Sequence, residues 1–117
     1  MKLGDWIPFG AVPSIEARVL HARLEGGEAL QLVDVRTLVE HRTSRIAGAV
    51  SAPIASLAVQ LEALDLDLAR PVVCICLSAH RSIPAVRLIR ERGHPDVAQL
   101  AGGMAAWWAA GLPTERG

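Results

Sequence analysis

Residues 71–82 have the sequence PVVCICLSAHRS, and this stretch decides the fold. Its first half is an apolar run without polar alternation, which is typical of a strand covered on both faces of a sheet. The run ends at Cys76, and residues 77–80 are predicted as a short loop. A helical pattern then follows over about 81–92 and stops at Gly93. This order predicts a strand, a loop and a helix, the repeating unit of parallel α/β sheets.

The segments on either side continue this alternation. Further strands are predicted over 31–35 and 97–100, with a turn entering a short strand over 46–50, and further helices over 15–25, 54–64 and 104–110. The polar stretch 36–45 is assigned no element, and residues 1–11 are predicted to be irregular because glycines and prolines interrupt them. The pattern as a whole predicts one α/β domain over residues 1–117, with a mostly parallel sheet and helices on both faces.

Composition limits the partners and the compartment. Twelve basic and twelve acidic residues give a formal charge of zero, which argues against a nucleic-acid or membrane-surface partner. No apolar stretch is long enough to span a membrane, and the first residues do not resemble a signal peptide. The two cysteines, Cys74 and Cys76, are too close together for a disulfide framework. We therefore expect a reduced, cytoplasmic protein.

Cys76 is the candidate nucleophile because it lies at the carboxyl end of a buried strand and just before a helix. Ligands of open α/β sheets bind outside the carboxyl ends of the strands. The unpaired N–H groups of a helix N-terminus favour a thiolate, and Arg81 adds a nearby positive charge. The candidate anion-binding loop consists of Leu77, Ser78, Ala79, His80, Arg81 and Ser82.

Simpler interpretations stand beside this one. Cys76 could be a small buried hydrophobic residue, and this is the preferred interpretation for Cys74, which lies inside the strand. His80 is expected to face solvent rather than to act as a base. The four histidines show no ligand spacing with the cysteines, so we expect no metal and no cofactor.

Four motifs resemble those of the rhodanese domain family, in the same order, over about residues 12–115. They are LVDVR at 32–36 with Glu40, RIAGA at 45–49, CLSAHRS at 76–82, and LAGGM at 100–104 with Trp107 and then GLP at 111–113. The resemblance implies a five-stranded, mostly parallel sheet.

The resemblance also implies a sulfurtransferase. Cys76 would take a sulfane sulfur from thiosulfate or a persulfide and pass it, as a persulfide, to a thiol or to cyanide, with a protein as an alternative donor or acceptor. The backbone N–H groups of the loop would hold the anionic sulfur. Asp34, Arg36 and Glu40 would support the loop, or would form only a salt-bridge network near the edge of the sheet.

The sequence departs from the family pattern in the loop and in the second motif. Leu77 replaces a frequent basic residue and Ala79 a glycine, while Arg45 and Ala47 replace a histidine and a proline. Leu77 predicts poor use of thiosulfate, and it leaves open a weakly active or non-catalytic binding or sensor module. A cysteine-dependent phosphatase or arsenate reductase of the same fold is disfavoured, because the loops of the phosphatase relatives are one residue longer. Trp107 and its neighbour are expected to pack the last helix, with one of the two partly exposed.

Overall fold

A mixed sheet of six strands forms the centre of the protein in the computed structural model, which describes residues 7–9, 12–78 and 80–117. The strands are β1 (Ile7–Phe9), β2 (Val12–Ile15), β3 (Gln31–Asp34), β4 (Val50–Ser51), β5 (Val72–Ile75) and β6 (Val97–Leu100). Their order across the sheet is β1-β2-β6-β5-β3-β4. Strands β2 to β6 are parallel, and β1 pairs antiparallel with β2 at one edge. The predicted α/β class with five mostly parallel strands is confirmed, and the short β1 is added to it.

Helices cover both faces of this sheet. They are α1 (Ala17–Glu25), α2 (Leu38–Thr43), α3 (Leu57–Leu64), α4 (Ser82–Glu91) and α5 (Gly103–Ala109), with a 3-10 turn at Ile54–Ser56 before α3. Val73 and Ile75 of β5 join the apolar core under α1 and α5. Cys74 and Cys76 alternate with them and join the core under α3 and α4. Strand β5 is thus buried on both faces, as its apolar sequence predicted.

The segment 1–11 was predicted to be irregular, but it contains the strand β1, and the residues that follow it form β2. Prolines and glycines in this segment argued against strands. In the structure, β1 pairs with β2, and β2 pairs with β6, where Ser14 lies beside Gln99, so both strands belong to the sheet. An edge position tolerates proline because one side of the strand needs no ladder hydrogen bonds. Residues 1–6, 10 and 11 lie outside the described part of the chain.

Helix α2 occupies part of the polar stretch for which no element was predicted. Thr37 caps it by accepting a hydrogen bond from the Glu40 N–H, and the Glu40 carboxylate accepts one from the Thr37 N–H. This capping box is visible in the sequence as Thr-x-x-Glu and could have predicted the helix. The apolar pattern concealed it, because Leu38 and Val39 are exposed while His41 is buried.

The C-terminal segment holds α2 in place from outside the sheet. Arg45 and Glu115 exchange two backbone hydrogen bonds of 2.9 Å, and the Gly117 N–H donates to the carbonyl of Arg42. Trp107 is buried and Trp108 is half-exposed, which confirms the expected division between the two tryptophans. Among the helices in the described ranges, none has the length and apolar character needed to cross a bilayer.

Candidate active site

Cys76 follows β5 directly and lies at the carboxyl edge of the parallel strands, where the sequence predicted it. Its side chain is buried, with an exposed fraction of 1%. The Cys76 Sγ donates a hydrogen bond of 3.6 Å to the Oγ of Ser82, the first residue of α4. The loop therefore leaves the sheet at Cys76 and returns to the same sulfur at the start of the next helix.

The N-terminus of α5 holds the first part of this loop. The Met104 N–H donates to the Cys76 carbonyl over 2.8 Å, and the Ala105 N–H donates to the Leu77 carbonyl over 3.0 Å. Two of the N–H groups that every helix leaves unpaired in its first turn are thus used to fix the loop backbone.

Gly103 allows this close approach between α5 and the loop. Its φ is +59°, and a Cβ at this position would overlap the Cys76 carbonyl oxygen and lie 2.6 Å from the Leu77 carbonyl oxygen. The absence of a side chain is therefore required both by backbone conformation and by space. The glycine pair was identified from the sequence only as part of a family motif, and its contact with the loop is a tertiary feature.

Arg81 and Glu40 connect the loop to α2. Two hydrogen bonds of 2.7 and 3.0 Å join the guanidinium to the carboxylate. The hydrogen bond from Arg81, with further ones from Thr37, lowers the pKa of Glu40 from 4.5 to about 2, although partial burial opposes this shift. The pKa of Arg81 is raised, chiefly by the same hydrogen bond with Glu40. The positive charge that the sequence placed beside Cys76 is thus largely neutralised by a carboxylate.

Asp34 and Arg36 form a buried ion pair behind α2. Arg36 donates to Asp34 through Nε over 2.9 Å and through Nη2 over 2.7 Å. Asp34 Oδ2 also lies 2.9 Å from His41 Nδ1, and Arg36 Nη2 donates to the Ser44 carbonyl. These contacts fix the C-terminal part of α2, the helix that carries Glu40, and Asp34 also interacts electrostatically with Arg81 of the loop.

A buried polar chain on the other side of Cys76 was not predicted from the sequence. The Ser82 Oγ donates to Gln99 Oε1 over 2.6 Å, and Gln99 Nε2 donates to the Ser14 Oγ over 3.0 Å. All three side chains are buried. A glutamine inside an apolar strand was the available signal, because a buried amide needs hydrogen-bond partners.

The other described residues of the loop between Cys76 and Arg81 face outward. Leu77, Ser78 and His80 are exposed, which agrees with the expectation that His80 faces solvent. Ala79 lies outside the described residues. Cys74 points into the apolar core, where burial above all raises the pKa of its thiol. No disulfide joins Cys74 and Cys76, in agreement with the expectation of reduced cysteines.

The sequence profile of the rhodanese-like domain matches residues 16–110. The chain belongs to the rhodanese-like domain family. It is 33% identical over 102 residues to a sulfurtransferase of Allochromatium vinosum, a match that covers 87% of this chain and 94% of that one. The rhodanese-like domain of an Anabaena protein, solved in solution, superposes with a TM-score of 0.80 at 36% identity, covering 88% of this chain and 78% of that chain.

A second kind of relative is a longer protein. The chain is 41% identical over 97 residues to an HTH-type transcriptional regulator of Mycobacterium tuberculosis, and the match covers 81% of this chain and 41% of the regulator. This rhodanese-like chain therefore spans less than half the length of that relative, while it matches the sulfurtransferase almost end to end.

Gly103→Ala is expected to displace the loop from α5. The added methyl group would separate the Met104 N–H from the Cys76 carbonyl, in a backbone conformation that alanine rarely adopts. We expect a loss of about 2–4 kcal/mol in the free energy of unfolding, measured by urea denaturation. Gly111→Ala is the matched control, because Gly111 also has a positive φ but has no atom within 4 Å of its Cβ position. Equal losses for the two variants would contradict a steric role specific to Gly103.

Glu40→Gln is expected to destabilise the protein at neutral pH but not in acid. Because folding lowers the pKa of Glu40 to about 2, its carboxylate stabilises the fold above pH 4.5, and this contribution is lost as the pH falls from 4.5 toward 2. Since the Arg81–Glu40 pair is about one third exposed, we expect a loss of only about 1 kcal/mol at pH 7.

Urea denaturation from pH 7 to pH 2.5 would measure this convergence, with Glu62→Gln as the control for an exposed helical carboxylate. A stability difference between Glu40→Gln and the native protein that stays constant over this pH range would contradict the assignment.

Proposed function

We propose that the protein is a sulfurtransferase in which Cys76 carries a sulfane sulfur between a donor and an acceptor. The observation that carries the proposal is the position of Cys76, at the end of a buried strand and in a loop that is hydrogen-bonded to the N-terminus of α5 and to the Ser82 hydroxyl at the start of α4. Reactive cysteines of enzymes are often placed beside helix N-termini, whereas a residue that only packs gains nothing from that position. The near end-to-end match to a sulfurtransferase supports the same activity.

The reaction would proceed in two half-reactions. The Cys76 thiolate attacks the outer sulfur of thiosulfate, the sulfur–sulfur bond of the donor breaks, and sulfite leaves with the bonding electron pair. The resulting Cys76 persulfide is then attacked at its terminal sulfur by a thiolate or by cyanide. The bond to Sγ breaks and the Cys76 thiolate is restored, so no cofactor is consumed.

The loop backbone would stabilise the negative charge that moves to the terminal sulfur. The carbonyls of Cys76 and Leu77 point toward α5, to which they are hydrogen-bonded. In a trans peptide the N–H points opposite to the carbonyl, so the N–H groups of Leu77 and Ser78 point away from α5. They are free to serve as donors to an anionic sulfur, as in an oxyanion hole.

The exposed Leu77 bears on the choice of donor. It stands at the loop surface, with an exposed fraction of 39%, and brings no charge to the region where the sulfite part of thiosulfate would lie. The buried Arg36 is committed to Asp34, and Arg81 is paired with Glu40. An organic persulfide, small or protein-borne, therefore fits this loop better than the thiosulfate dianion.

A binding or sensor module is the second candidate function. The observation in its favour is the 41% identity to part of a transcriptional regulator, together with the apolar Leu77. Intact-mass analysis after incubation with thiosulfate or with an organic persulfide separates the two. A gain of one sulfur atom, followed by its transfer to cyanide or a thiol over many turnovers, supports the enzyme. An adduct that forms but does not turn over supports the sensor.

Cys76→Ser should abolish sulfur transfer and leave the fold intact, because serine retains the size of the side chain but not the nucleophile. Cys74→Ser should keep most of the activity and lose about 1–3 kcal/mol of stability, since a hydroxyl is buried in an apolar core. Cyanide-dependent thiocyanate formation and thermal unfolding would measure the two effects. Activity that survives in Cys76→Ser but is lost in Cys74→Ser would mean that Cys74, and not Cys76, is the nucleophile.

Leu77→Arg should improve the use of thiosulfate. A guanidinium at the loop surface would contact the sulfite end of the donor, which lowers KM by about tenfold and changes kcat less, because this binding is shared by ground and transition states. A neutral organic persulfide should gain much less. Leu68→Arg is the control, since Leu68 is an exposed leucine outside the loop. Steady-state kinetics that show the same thiosulfate KM for Leu77→Arg and the native protein would contradict this view of donor choice.

A further inference from the structure

A continuous buried hydrogen-bond chain joins Cys76 to β2, which lies two strands away from β5 in the sheet. It runs from the Cys76 Sγ to Ser82 over 3.6 Å, from Ser82 to Gln99 over 2.6 Å, and from Gln99 to Ser14 over 3.0 Å. The four residues come from the end of β5, from α4, from β6 and from β2, and none is more than 1% exposed. Because water does not reach these side chains, their donors and acceptors must be satisfied mainly by protein groups.

The direction of each hydrogen bond in this chain is set by the Gln99 amide. Its Nε2 can only donate and does so to Ser14, while its Oε1 can only accept and does so from Ser82. The Ser82 hydroxyl has a single proton, and that proton is used in the short bond to Gln99. Toward Cys76, Ser82 therefore presents a lone pair, and the thiol must be the donor.

We propose that Gln99 is a positioning residue that acts on Cys76 through Ser82 and holds the resting nucleophile in its protonated form. As long as Ser82 donates to Gln99, it can accept from the S–H of Cys76 but cannot donate to a thiolate. When Cys76 ionises, Ser82 can donate to the thiolate only if it gives up its hydrogen bond to Gln99. If that bond is kept, the thiolate receives no hydrogen bond from Ser82. The inference deepens the proposed function at the same site, and its test needs no sulfur donor.

Other charged and titratable groups belong to the elements packed around Cys76. Arg81 precedes α4 and interacts electrostatically with Cys76, and it is paired with Glu40 of α2. Asp34 at the end of β3 is neutralised by Arg36, and Cys74 is the titratable neighbour on β5 itself. The described residues of β6 and α5 carry no titratable side chain, so Gln99 can be changed without removing a charge.

The test is the rate of alkylation of Cys76 by iodoacetamide as a function of pH, located by peptide mass spectrometry. Gln99→Met replaces the amide with an apolar side chain of similar length and frees the Ser82 proton to donate to the thiolate. We expect the pH midpoint of alkylation to fall by about one unit, equivalent to about tenfold more thiolate well below the midpoint. In a Ser82→Ala background the Gln99→Met change should leave the midpoint where it is, because the hydroxyl that joins Gln99 to Cys76 is already absent.

Gln31→Met is the matched control, since the Gln31 side chain bonds to the Asp67 and Arg70 backbone and takes no part in the chain from Cys76. Its midpoint should equal that of the native protein. If Gln99→Met does not fold, as judged by circular dichroism, Ser14→Ala removes the anchor of the amide and should lower the midpoint by a smaller amount.

Two results would overturn the proposal. A higher pH midpoint of alkylation in Gln99→Met would mean that the Gln99 amide flips in the native protein and supports the thiolate through Ser82. An unchanged midpoint, or a shift of the same size in the Ser82→Ala background, would mean that Gln99 does not act through Ser82. Either result would leave the sulfurtransferase proposal standing, whereas loss of sulfur transfer alone would not bear on Gln99.

Discussion

The close contact between α5 and the Cys76 loop is the constraint on which the rest of the site depends. Two helical N–H groups bind the carbonyls of Cys76 and Leu77, and only a residue without a side chain at position 103 allows the backbones to come so close. Because these carbonyls are held on the α5 side, their peptide N–H groups are turned to the opposite side. One steric requirement thus determines which polar groups the loop can offer to an anion.

Charge at the site is arranged in pairs rather than as a free positive surface. Arg81 is bound by Glu40, whose pKa is lowered to about 2, and Arg36 is bound by Asp34 in the interior. Both pairs involve α2 or its immediate surroundings, so this short helix connects the loop to the core. In the proposed reaction, stabilisation of the anionic sulfur would therefore fall mainly to backbone dipoles, which act at short range and depend on loop geometry more than on net charge.

Buried polar residues explain much of what sequence patterns could not provide. Gln99 and Ser14 lie in neighbouring strands, and their contact depends on the parallel pairing of β2 with β6. No local pattern links positions 14, 82 and 99, whereas the side chains meet because three separate elements converge beside Cys76. Helix α2 is a different case, since its capping box was present in the sequence and was outweighed by an unusual apolar pattern.

The sequence by itself determined the α/β class, the buried strand β5, the position of Cys76 at its end, and the helix that follows. These features depend on apolar runs and breakers over short distances, which are local properties of the chain. Only the tertiary structure decided that α5 fixes the loop, that Glu40 neutralises Arg81, and that Ser82 is bonded to Gln99. Each of these contacts joins residues that are far apart in the sequence or on different elements, and such contacts depend on how the strands are ordered and paired, which local patterns do not encode.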